Sequence, residues 1–208
     1  MPDLKEEWSK MFPRSHWASF DSSFGHNFFD IHYGRTVEYD TEFIQSWKGK
    51  RVLEVGGFPG LETAALLYRG CDVTVIDSPL YTSPTYMEFL AEHDIEQIVH
   101  DIVTGAPKED RRWDVCLISD VFMHIDGHPY DFMDWVYKHA DMVVLISYLS
   151  TDVSRHPAKH HDLRQGYGSL GGDKIIVDAI ENHGMELVKH ATTFAGRELI
   201  VLKQKESK

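Results

Sequence analysis

From Lys50 onward the apolar positions follow two alternating rhythms. Short, nearly continuous apolar runs read as strands covered on both faces. Stretches with apolar residues every three or four positions read as helices with one buried stripe. The strand-like runs are Arg51–Val55, Asp72–Asp77, Glu96–Ile102, Trp113–Ser119 and Met142–Tyr148. Leu61, Ala64, Ala65 and Tyr68 predict a helix over Gly60–Arg69. Ser83-Pro84 is a cap followed by proline at the first helical position, and opens a helix to about His93. Met133, Val136, Tyr137 and Ala140 share one face of a helix over Tyr130–Ala140. Ile176, Ala179 and Ile180 do the same over Asp173–His183, which Gly184 ends as a left-handed cap. Met185–His190 and Glu198–Lys203 are two last strands, and the turn Ala195-Gly196-Arg197 makes them an antiparallel hairpin.

Strands alternating with helices imply right-handed crossovers and a mostly parallel sheet with helices on both faces. The expected fold class is therefore α/β, a doubly wound sheet with a C-terminal antiparallel hairpin. Ligands bind such sheets beyond the carboxyl ends of the strands, where the strand order reverses. Residues 1–47 have a different texture. They are dense in aromatics and show no strand alternation. Leu4, Trp8, Met11 and Phe12 fall on one helical face, and Pro13 stops that helix. Asp40-Thr41 reads as the cap of a second helix that turns Phe43, Ile44 and Trp47 inward. The chain is expected to be one domain: a helical cap over 1–47, a core over 48–203 and a frayed polar tail over 204–208.

Composition narrows the class. The 208 residues carry 21 Lys+Arg against 33 Asp+Glu, a net charge of −12. That balance disfavours a nucleic-acid partner. No apolar run approaches the ~20 residues of a membrane span. The start, MPDLKEEW, lacks the basic and apolar regions of a signal peptide. Cys71 and Cys116 lie in apolar surroundings and read as reduced, buried thiols, which points to the cytoplasm. The 13 histidines are an excess that asks for a chemical reason.

The first strand runs into Glu54-Val-Gly-Gly-Phe-Pro-Gly60, which opens the first helix. Neither the dinucleotide spacing G-x-G-x-x-G nor the Gly-Lys-Ser/Thr of a P-loop is present. The pattern is E-x-G-x-x-x-G after strand one, Asp77 ending strand two, and His100-Asp101-Ile102 ending strand three. This resembles the motifs of the class I S-adenosylmethionine-dependent methyltransferases over residues 48 to 203, closing hairpin included. The resemblance implies a seven-stranded sheet and S-adenosylmethionine as methyl donor. It places Gly56, Gly57 and Gly60 under the methionine and ribose, with Glu54 ordering the loop or facing the cationic end. It gives Asp77 the ribose hydroxyls and Asp101 with the Ile102 backbone the adenine. It sets Asp120 near the methionine end. Phe58 stands where the commonest family pattern has glycine.

The acceptor side is expected past strands four and five. His124 and His128 lie in Asp120-Val-Phe-Met-His124-Ile-Asp126-Gly-His128, and His160 and His161 in the long irregular stretch 150–172. A histidine there can serve as general base, with His124 first and His160 and His161 next. A packed or solvated role competes for each, and in-line transfer can also run on proximity alone. A divalent metal held by these histidines with Asp120 or Asp126 is a less favoured reading, and no metal ligand is assigned. Tyr33, Arg35, His128 and Tyr148 are candidates for the substrate side. The expected acceptor is a small molecule methylated on oxygen or nitrogen. A metal-assisted 2′-O-methyltransferase of RNA 3′ ends and a non-catalytic donor-binding subunit are the alternatives. The oligomeric state is not legible.

Overall fold

The computed structural model describes residues 28–58, 60–79, 84–122, 129–147, 172–193 and 197–205. Helix α1 (Phe28–Glu42) and a 3₁₀ turn (Ile44–Trp47) precede the first strand, β1 (Arg51–Val55). Then follow α2 (Leu61–Tyr68), β2 (Asp72–Asp77), α3 (Pro84–Glu92), β3 (Glu96–Val99) and a 3₁₀ turn at Ile102–Thr104. After these come β4 (Trp113–Ser119), α4 (Tyr130–His139), β5 (Ala140–Ser147), α5 (Gly172–His183), β6 (Met185–Thr192) and β7 (Glu198–Gln204). The seven strands lie in the order β3-β2-β1-β4-β5-β7-β6. The first five are parallel, and β7 pairs antiparallel with both β5 and β6. The expected α/β sheet with its closing hairpin is therefore the observed one.

Alternation along each central strand sends side chains into two separate apolar layers. Val52, Val75, Leu117 and Val144 pack with Ile44, Trp47, Leu66, Tyr86 and Phe89, under the first turn, α2 and α3. Leu53, Ile76, Ile118 and Leu145 pack with Phe132, Val136, Ile175 and Ala179, under α4 and α5. Burial on both faces is why these strands read as unbroken apolar runs. The chain leaves β1 toward β2 on one side and β4 toward β5 on the other. The β1/β4 gap is thus the point where the order reverses, and its carboxyl end is the natural ligand cleft.

Two sequence expectations are corrected. Asp40 does not cap a helix; it lies in the last turn of α1. Its Oδ1 accepts from Arg69 Nε at 2.7 Å, and Arg69 Nη2 also bonds the carboxylate, tying α1 to α2. A guanidinium across the helix interface is a stronger partner than the orphan amides of a helix start. Ile44 and Trp47 do turn inward. The third strand ends at Val99, because Asp101 takes the Val103 N–H on Oδ1 at 3.1 Å and closes a turn. The helix expected over Leu4–Phe12 lies outside the described residues. Among the described residues no helix is long and apolar enough to cross a membrane. Cys71 and Cys116 are buried and unpaired with each other.

Candidate functional site

The β1–α2 loop is built by two glycines that no other residue replaces. Gly56 has φ +70°, and a Cβ there would lie 2.5 Å from Val121 Cγ2. Its N–H donates to Ile76 O at 2.8 Å, extending the ladder one step past β1. A Cβ on Gly57 would lie 2.4 Å from the Tyr86 hydroxyl and 2.8 Å from Val75 Cγ1. Gly60 starts α2, and its N–H donates to Gly57 O at 2.7 Å. Phe58 follows a path compatible with its bulk. Its ring meets Tyr86 edge-on, with centroids 5.7 Å apart at 78°.

Asp77 stands directly across this loop and is nearly buried. Its Oδ2 accepts from the Phe58 N–H at 3.1 Å, and its Oδ1 from the Ser78 N–H at 2.8 Å. Burial raises its carboxyl to about 6, and the two backbone bonds hold that rise back. The ends of β2 and β1 are therefore locked together through one carboxylate. The Asp77 carbonyl in turn accepts the His100 N–H at 2.9 Å, and His100 Nε2 lies 2.8 Å from Gly105 O. Asp101 and Ile102 sit in the next turn, with Asp101 half-buried and Ile102 in the second layer.

Glu54 occupies a first-layer position that every neighbouring strand fills with an aliphatic side chain. It is 3% exposed, and Oε2 has no hydrogen-bond partner. Burial, reinforced by the charges of Glu62 and Asp77, raises its carboxyl to about 8. The Thr63 hydroxyl lies beside it and moderates the rise, although Oγ1 is outside hydrogen-bond geometry. A buried acid held neutral next to a permissive loop is suited to a cation, which would draw its proton off. Ser119 Oγ and Ser147 Oγ, at the carboxyl ends of β4 and β5, are likewise buried without a partner.

Asp120 follows β4 with φ +55°, and both carboxylate oxygens accept from Arg197 Nε at 2.7 Å. Each side chain is only 9% exposed. Its carboxylate is thus engaged with the hairpin rather than open to the cleft. Tyr33, on α1, packs half-buried against the first layer. Arg35 lies in α1, but its side chain is outside the described residues, as are His124, His128, Tyr148, His160 and His161. The sequence reading missed Arg197, Tyr86 and Thr63. A charged residue directly before a buried strand was the available signal for Arg197. Tyr86 and Thr63 looked like ordinary helix positions.

One group among the described residues has metal-ligand composition: Asp134, Asp178 and His183. His183 Nε2 lies 3.1 Å from Asp134 Oδ1. His183 ends α5 next to the start of β6, at the edge of the sheet opposite the cleft.

No family model matches the chain, and no curated protein matches it in sequence. Solved structures match it by shape. An O-methyltransferase family protein from Burkholderia thailandensis superposes with TM-score 0.68 at 11% identity, over 97% of this chain and 64% of that one. The chain carries the class I methyltransferase fold. Magnesium protoporphyrin IX methyltransferase from Synechocystis PCC 6803, solved with bound SAH, gives 0.60 at 14%, covering 98% of this chain and 100% of that one. The glycopeptide N-methyltransferase MtfA gives 0.60 at 14%, covering 83% and 90%. The chain spans a little under two thirds of the Burkholderia protein. Oxygen and nitrogen methylation both occur on this fold, so the fold does not choose the acceptor atom.

Proposed function

We propose that the chain is an S-adenosylmethionine-dependent methyltransferase with a small-molecule acceptor, methylated on oxygen or nitrogen. The observation that carries this is the closed loop at the β1/β4 reversal. Gly56 and Gly57 let the loop pack directly against Val121, Tyr86 and Val75, Asp77 is fixed across them by the Phe58 amide, and Glu54 has an unpartnered buried oxygen beneath. A donor with a ribose diol at one end and a sulfonium and ammonium at the other matches both carboxyls. When bound, the donor supplies a methyl group already activated by sulfonium. This chain's residues then have to bind, orient and exclude water. Asp77 accepts the ribose hydroxyls, Glu54 compensates positive charge, and Asp101 with the Ile102 backbone borders the adenine.

On the acceptor side, His124 is our candidate base, with His160 and His161 as further candidates and Tyr33, Arg35, His128 and Tyr148 shaping the substrate pocket. The net charge of −12 disfavours an RNA acceptor. Engagement of Asp120 by Arg197 removes one carboxylate that a metal-assisted reaction would use. A cytoplasmic location accords with the free cysteines.

Calorimetry with S-adenosylhomocysteine tests the donor site. Wild type is expected to bind, and Asp77→Ala to lose roughly tenfold or more in affinity. Absence of binding to wild type refutes the reading. A labelled-donor screen of pooled metabolites, run with and without chelator, then identifies the acceptor. Turnover insensitive to chelator is expected, and binding without any turnover would identify a silent subunit instead. A pH–rate profile that loses its limb near neutrality in His124→Ala would establish the base.

A further inference from the structure

Arg197 lies just ahead of β7, three strands along the sheet from β1. The residue is clamped at the hairpin mouth: its N–H donates to Thr193 Oγ1 at 3.2 Å, and its carbonyl accepts the Thr193 N–H at 2.7 Å. From there the guanidinium crosses the end of β5 and donates from Nε to both oxygens of Asp120. Asp120 holds a left-handed backbone with φ +55°, a conformation unfavourable for a non-glycine residue and best tolerated by Asn and Asp. Its N–H donates to Ile146 O at 2.7 Å, so its backbone is pinned to β5 as its side chain is to Arg197. This turn sets the direction of Val121. Val121 Cγ2 lies over the α-carbon of Gly56, 2.5 Å from where a Cβ would stand. The route is continuous: hairpin, Arg197, Asp120, Val121, glycine loop.

We propose that Arg197 is a positioning residue for the donor site, acting through Asp120 to hold Val121 against Gly56 and keep the loop pre-organised. The proposal rests on the donor-site reading above. The pair is buried on both sides, so water does not replace the guanidinium when it is removed. Asp120 then loses the side-chain half of what holds it in the left-handed region, its N–H bond to Ile146 O remaining, and Val121 is held less firmly against Gly56. A pre-organised loop binds its ligand without an ordering cost; a released one does not.

The test combines Arg197→Met, Arg197→Lys, Asp120→Asn and the Asp120→Asn/Arg197→Met double variant. Arg197→Met is expected to weaken S-adenosylhomocysteine binding about tenfold or more, and Arg197→Lys to recover most of it. In the Asp120→Asn background, Arg197→Met is expected to cost no further affinity. Additive losses would mean that Arg197 acts independently of Asp120, and would overturn the proposal. So would a lowered Tm with unchanged affinity, which is what a merely structural pair predicts. Hydrogen exchange on the ligand-free protein supplies an arm independent of donor binding. Arg197→Met should speed exchange at the Gly56 and Asp120 amides and leave the β2–β3 ladder protected. Uniform acceleration, or none at Gly56, would also overturn it. If wild type fails to bind, the donor reading falls while the exchange arm still decides the coupling.

Discussion

Replacing Glu54 by glutamine asks whether the β1–α2 loop rests on a protonated acid. Glutamine keeps the shape and cannot ionise. In the folded protein, burial first and then the Glu62 and Asp77 charges raise the Glu54 carboxyl from 4.5 to about 8. Between those values the folded chain holds a proton that the unfolded chain releases. Stability therefore falls as pH rises through the window. The contribution of Glu54 is complete below 4.5 and lost as pH passes about 8. At 1.36 kcal/mol per unit, the loss between pH 6 and pH 8 is about 2 kcal/mol. For a chain of this length that corresponds to a Tm change of about 4–8 °C. Asp77, raised from 3.8 to about 6, acts by the same sign at lower pH and leaves this window to Glu54. Thermal unfolding of wild type and Glu54→Gln across pH 6 to 8 is the assay, and the histidines common to both proteins cancel. The wild-type Tm should fall more steeply than that of the variant by about that amount. Parallel curves would refute a neutral, buried Glu54.

Three further outcomes follow from the packing. Gly56→Ala places a methyl 2.5 Å from Val121 at a positive φ, and should cost about 1–3 kcal/mol in denaturant unfolding while abolishing donor binding. Arg69→Met leaves the buried Asp40 carboxylate without its guanidinium. It should destabilise by about 3 kcal/mol and expose the Glu42–Lys50 connection to limited proteolysis. Neither Cys71, pushed by burial up to about 11, nor Cys116, raised further, should react with a thiol reagent until the chain is unfolded. A native-state reaction at Cys116 would contradict its place in the second layer.

Periodicity alone determined the order and nature of the elements from Lys50 to Lys203. A strand buried on both faces and a helix buried on one each leave a local signature, and those signatures survive without any knowledge of neighbours. The glycines, Asp77 and Asp101 stood out for the same reason: each lies within a few residues of a strand end. Asp40 was misread because its local setting is that of a cap, whereas its partner, Arg69, comes from another helix. Glu54 was visible as a motif residue, but its raised carboxyl is a property of the layer that closes over it. The Asp120–Arg197 pair spans 77 positions along the chain, and only the path of β7 alongside β5 brings it together. Burial and long-range charge pairing arise from the folded arrangement of strands, so only the tertiary structure decides which carboxylates are buried and which are paired across the fold.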